Sequence, residues 1–175
     1  MAGFVIKLLE EVEASFIQTA VWYKPNSTDE GGMRLCSAFE VLVFGWKGQK
    51  GAKQYFNFKS NPKSRHNLFQ FDLDNRFKID DKILNKAQKP LKLMMHLLDK
   101  FCPPNGFVFD FCGGSGSMTL ACVKTGRPCL YLDKNLEMVT GAISRIKQFI
   151  VKIDDKKVIE GHKKKIQQQY LLTLA

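Results

Sequence analysis

The sequence predicts an α/β fold with a mostly parallel sheet and one antiparallel hairpin. Two observations carry this. Residues 107 to 133, FVFDFCGGSGSMTLACVKTGRPCLYLD, order an apolar strand, a Gly/Ser turn, a short helix and a second apolar strand ending in an acid. That order is a βαβ unit, which joins parallel strands through a right-handed crossover. Further upstream, FEVLVFGW at 39 to 46 is a nearly continuous apolar run, as expected of a buried strand.

The remaining elements follow from periodicity. Phe4, Val5, Leu8, Leu9, Val12 and Phe16 form one stripe and predict a helix over 3–16. QTAVWYK, 18–24, reads as a strand, and PNSTDEGG, 25–32, as a loop. QYFNFK, 54–59, is placed as a hairpin partner of the 39–46 strand. Residues 60–86 are polar and mixed, a long loop or small insertion of the kind that often carries function. AQKPLKLMMHLLDKF predicts a helix with Pro90 in its first turn. SMTLACVKT predicts a second helix stopped by Gly126. NLEMVTGAISRIKQFIVKI predicts a long amphipathic helix, and the lysine-rich tail 151–175 another. The expected organisation is one domain over 1–175, divided as 1–59, the 60–86 insertion, 87–150 and the basic tail.

Composition narrows the function. With 45% hydrophobic and 25% charged residues the chain is globular rather than disordered. The net charge of +10 favours a polyanionic partner such as nucleic acid. Five cysteines include no Cys-x-x-Cys pair, which speaks against a zinc site and for an intracellular, reducing compartment, cytoplasm or nucleus. No apolar run is long enough to span a membrane, and Glu10, Glu11 and Glu13 exclude a signal peptide at the start.

The glycine turn is the chemical centre. Gly113, Gly114 and Gly116 allow close backbone approach because no Cβ intervenes. A P-loop would need lysine where Met118 stands, and a dinucleotide fingerprint would need glycine at Thr119. Asp110, just before the turn, would repel a pyrophosphate and attract an ammonium. Asp133, ending the next strand, suits a ribose. The pair fits S-adenosyl-L-methionine, which has a cationic amino acid at one end and a ribose at the other.

FDFCGGSGSMTLAC, GRPCLYLDKNLEMVTGAISRI, QKPLKLMMHLL, VWYKPN and SAFEVLVFGWKG, in this arrangement, resemble the DNA amino-methyltransferases of permuted, beta-type order. These enzymes modify the exocyclic amine of adenine or cytosine. The resemblance implies a Rossmann-like methyltransferase fold with S-adenosyl-L-methionine as cofactor. It implies cofactor contacts at Asp110, Phe111, Gly113, Gly114, Ser115, Gly116, Ser117 and Asp133, with Lys89 and Pro90 on the helix closing over the ligand. Nucleic-acid contacts are expected at Lys24, Asn26, Lys63 and Arg65. Trp22 is expected in the core, and the 60–86 segment is a candidate target-recognition insertion. DNA is the implied partner, with RNA as the alternative.

One part of the family pattern has no counterpart. The catalytic tetrapeptide, Asp/Asn/Ser-Pro-Pro-aromatic, should precede the 3–16 helix, and so upstream of Met1. Cys102-Pro103-Pro104-Asn105 follows a helix, begins with a thiol and lacks the aromatic residue, so it reads as a helix-stop turn. In the family the acidic or amide residue and the proline carbonyl accept the amine's hydrogens, and the aromatic residue stacks on the flipped base. The expectation is therefore a fold with a gap in its sheet and no catalytic residue of its own. A second chain could supply the motif. The alternatives are a non-catalytic subunit supporting an active partner and a pure nucleic-acid-binding module.

Overall fold

The structure, a computed structural model of the chain, describes residues 2–28, 35–48, 55–57 and 65–154. The chain divides into two compact units, Met1–Leu73 and Asp74–Ala175.

The first unit opens with α1, Ala2–Glu11. The apolar stripe predicts five further residues of helix, but the backbone turns earlier. Glu13 takes a left-handed φ of 56°. Its N–H donates to Glu10 O and the Ala14 N–H to Leu9 O, the paired bonds of a Schellman stop. Phe16 then begins strand β1, Phe16–Tyr23, which pairs antiparallel along its whole length with β2, Phe39–Trp46. The expected hairpin partner of β2 lay at 54–59. Within that segment the described residues Tyr55–Asn57 form no strand, and β2 takes β1 instead. On its other side β1 pairs in parallel with a short strand, β3, Leu68–Gln70, giving the order β2-β1-β3. Ala20, Trp22 and Phe69 are buried on one side of this sheet. Trp22 Nε1 donates to Phe71 O at 2.8 Å, so the ring is a core residue with its polar atom satisfied.

The second unit begins with a small hairpin, β4 Lys78–Ile79 and β5 Lys82–Ile83. Its two-residue turn puts Asp80 and Asp81 at positive φ, as a type I′ connection requires. Helix α2, Leu91–Phe101, starts behind Pro90, and its Leu91 N–H is capped by Asp74 Oδ2 at 2.6 Å. Leu93, Met94 and Leu98 face inward. Cys102 closes the helix, and Arg127 then donates to the carbonyls of Cys102 and Pro103. Strand β6, Val108–Asp110, leads through the glycine turn into α3, Ser117–Thr125. Gly126, at φ 68°, ends α3 as the sequence predicts. Strand β7, Cys129–Tyr131, lies parallel to β6 with Asp110 opposite Tyr131. Helix α4, Leu136–Asp154, starts at Asn135, whose Oδ1 accepts the Glu137 N–H. The second unit is an α/β arrangement in which, among the described residues, β6 and β7 form a two-stranded parallel pair flanked by α2, α3 and α4. Most of the tail expected as a helix, 155–175, lies outside the described residues, as does Lys63.

Candidate functional site

The carboxyl end of β6 opens into a cavity of about 380 Å³, the size of a small-ligand site. Asp110 ends the strand in its wall, with Gly113, Gly114, Ser115 and Ser117 forming the turn side. The opposite side comes from Lys89, Gln88 and Asn85. Of the remaining expected cofactor residues, Gly116 and Pro90 are buried and, like Asp133, do not line the cavity. Phe111 is 64% exposed, its ring resting on Phe109 with centroids 4.0 Å apart.

The two acids differ in character. Burial, reinforced by the nearby charge of Asp133, raises the Asp110 carboxyl above its ordinary range, although the Cys112 amide works the other way. Asp133 is lowered, because its Oδ1 accepts the Asn135 N–H at 2.9 Å and its Oδ2 the Gly114 N–H at 2.8 Å. Asp133 thus braces the turn directly. Tyr131 does so from below: its hydroxyl donates to Gly114 O at 2.7 Å, and burial beside both acids pushes its pKa up to about 12.

The three glycines are required by protein neighbours as much as by any ligand. A Cβ on Gly113 would lie 2.0 Å from the Tyr131 ring. One on Gly114 would meet Asn85 Nδ2 at 2.7 Å, and one on Gly116 would press on Ala142 of α4 at 3.0 Å. Gly114 and Gly116 also hold left-handed φ angles of 51° and 71°. Ser115 and Ser117 are 2% and 6% exposed, and their hydroxyls bond inward to Gln88 and to Lys89 O.

Asn85 and Gln88 were not singled out from the sequence. They are ordinary polar residues in an irregular stretch, and only the fold brings them to the turn. The nearest signal is their place just before the Lys89-Pro90 pair.

The nucleic-acid candidates are placed as follows. Lys24 is 8% exposed, its ammonium 3.4 Å from Glu40 Oε1 and over the Trp22 ring. Asn26 Nδ2 donates to Leu73 O while its Oδ1 accepts the Leu73 N–H. Both side chains therefore hold the first unit together. Arg65 is exposed. No cluster of three or more metal-ligating side chains occurs among the described residues.

The family model for DNA methylases matches residues 1–144. The chain belongs to the DNA methylase family. Among solved structures, the chain is similar to M1.HpyAVI in its S-adenosylmethionine complex, at 25% identity and a TM-score of 0.68, covering 82% of this chain and 68% of that one. M1.HpyAVI in a separate structure gives 24% and 0.61, covering 82% and 66%. The cytosine-N4-specific PvuII DNA methyltransferase shares the fold at 17% identity and a TM-score of 0.61, covering 94% and 60%. The chain thus spans about two thirds of the length of these structures. No curated protein sequence matches it. Among the described residues no helix is long and apolar enough to cross a membrane.

Proposed function

We propose that the chain is the S-adenosyl-L-methionine-binding part of a DNA methyltransferase that modifies an exocyclic amine of adenine or cytosine. The observation that carries this is the pair of acids on one glycine turn: Asp110 in the cavity wall and Asp133 bonded to Gly114. The residues fit the cofactor. Asp110 offers a carboxylate to an ammonium in partial burial, where the attraction is stronger than in water. Asp133 keeps lone pairs for ribose hydroxyls beyond the two amides it accepts. When bound, the cofactor supplies a sulfonium methyl group for transfer. The chain's part is to fix that group in place, since positioning accounts for much of the rate of such reactions.

The acceptors for the target amine lie, on this reading, outside these 175 residues. The one Pro-Pro pair in the sequence is Cys102-Pro103-Pro104-Asn105. Its Cys102 and Pro103 carbonyls accept from Arg127, so neither is turned toward a substrate. Preceding sequence or a second chain would supply the acceptor-Pro-Pro-aromatic segment. The same observation favours a second reading, a cofactor-binding subunit that supports an active partner. The basic surplus serves DNA binding, with Arg65 and Lys63 as phosphate contacts and a corresponding salt dependence. The ground for an intracellular, reducing location remains the five cysteines without a Cys-x-x-Cys pair.

The test is methyl incorporation into duplex DNA by the purified chain, alone and with an added polypeptide carrying the tetrapeptide. Cofactor binding with no turnover alone, and turnover on addition, supports the proposal. Turnover by the chain alone would show that the acceptors are within it. Binding with no turnover in either mixture favours the subunit reading.

A further inference from the structure

The glycine turn cannot hold its own shape. Of its five residues, three are glycines, and the two in the left-handed region carry no side chain to lock them. Fixing such a stretch costs more backbone entropy than fixing any other, so neighbouring elements must impose the geometry. Gly116 brings α4 close, with Ala142 only 3.0 Å from where its Cβ would be. One turn further along α4, Arg145 Nη1 donates to Ser115 O at 2.9 Å and to Ser117 Oγ at 3.1 Å.

We propose that Arg145 is a positioning residue of the cofactor seat, holding the Ser115 carbonyl and the Ser117 hydroxyl so that the turn stands ready for its ligand. This rests on the reading that the cavity takes S-adenosylmethionine. The other polar atoms of the turn agree with it. Gln88 Oε1 accepts from Ser115 Oγ at 3.3 Å and from the Phe77 N–H at 3.0 Å, while its Nε2 donates to Asn75 O. Ser117 Oγ accepts from Arg145 and donates to Lys89 O at 2.8 Å, so both serines are held from two sides. The guanidinium sits 5.9 Å from the Phe77 ring centre and feels the charge of Asp74, which also caps α2. One side chain thereby links α4 and the turn to Phe77, whose N–H in turn bonds the cavity residue Gln88. An arginine suits the task because it keeps its charge and its fork of donors when partly buried.

The experiment is calorimetric titration of S-adenosylmethionine into the full chain, with Arg145→Gln, Arg145→Lys and the control Lys147→Gln, which removes a charge from an exposed position on the same helix. Arg145→Gln should raise Kd by about tenfold or more, as expected for lost charged hydrogen bonds, Arg145→Lys should recover part, and Lys147→Gln should bind as wild type. Hydrogen exchange without ligand should quicken at 113–118 in Arg145→Gln while α2 and β1 keep their protection. Wild-type affinity in Arg145→Gln, an equal loss in Lys147→Gln, or protection lost throughout both Arg145 variants overturns the inference. A wild-type chain that binds no S-adenosylmethionine overturns the reading of the cavity as well, so the two failures are distinguishable.

Discussion

Replacing Gly113 by alanine puts one methyl group where the Tyr131 ring already stands. The added Cβ would lie 2.0 Å from Cε2 and 2.2 Å from Cδ2, far inside van der Waals contact. Gly113 is not among the positive-φ residues, so the penalty is steric rather than conformational. Moving the ring costs about 1–3 kcal/mol as overpacking, and losing the Tyr131–Gly114 hydrogen bond about 1 more. The expected destabilisation is about 2–4 kcal/mol, a large share of a typical domain's stability of about 5–15. Urea denaturation followed by circular dichroism reads it directly. Tyr131→Phe should cost about 1 kcal/mol, isolating the hydrogen bond. The decisive comparison is Gly113→Ala in a Tyr131→Ala background. There the new methyl enters vacated space, and its cost should fall below about 0.5 kcal/mol. An equal cost in both backgrounds, or no cost in wild type, would refute the argument that Tyr131 is why residue 113 is glycine.

Three further outcomes are expected. Glu13→Gly should stabilise the first unit by about 0.5–1 kcal/mol, because glycine takes the left-handed helix stop without strain; thermal melting reads it. Trp22→Phe should cost about 1–2 kcal/mol by removing the indole N–H that donates to Phe71 O and part of the buried ring, measured by the same melts. Cofactor affinity should fall as the pH drops through the raised pKa of Asp110, and Asp110→Asn should flatten that limb of the Kd–pH profile. The stability terms of the two acids have opposite signs. The raised Asp110 contributes stability below its unfolded pKa that is lost as pH rises through the folded value. The lowered Asp133 contributes stability above its unfolded pKa that is lost as pH falls through its folded value.

Elements with a local signal were legible in the sequence. SMTLACVKT is helical over its nine residues and stops at Gly126, because the left-handed stop is written locally. FEVLVFGW is a strand over its full length, but it is not the buried strand its apolar run suggests: Phe39 and Val41 are exposed and none of its residues is fully buried. What escaped was set by distant partners. The Ala2–Glu11 helix ends early because a glutamate accepts a glycine's conformation, which no periodicity announces. The parallel partner of β1 is three residues in a polar stretch, chosen by bonds from Trp22, Asn26 and Asn67. At the site, Asp110 and Asp133 were visible because an acid beside a glycine turn is a charge pattern. Arg145 and Gln88 meet Ser115 across 30 and 27 residues, and nothing local to either predicts the meeting. The glycines were read as room for a ligand, whereas Tyr131, Asn85 and Ala142 each claim the space of one missing side chain.

The account stands on Asp110 as the anchor of a sulfonium nucleoside. Calorimetric titration of S-adenosylmethionine into the purified chain and its Asp110→Asn variant at neutral pH tests this most directly. Saturable one-to-one binding in the wild type, with a large loss of affinity in the variant, is the predicted result. No binding by the wild type, or the same affinity in both proteins, would contradict it.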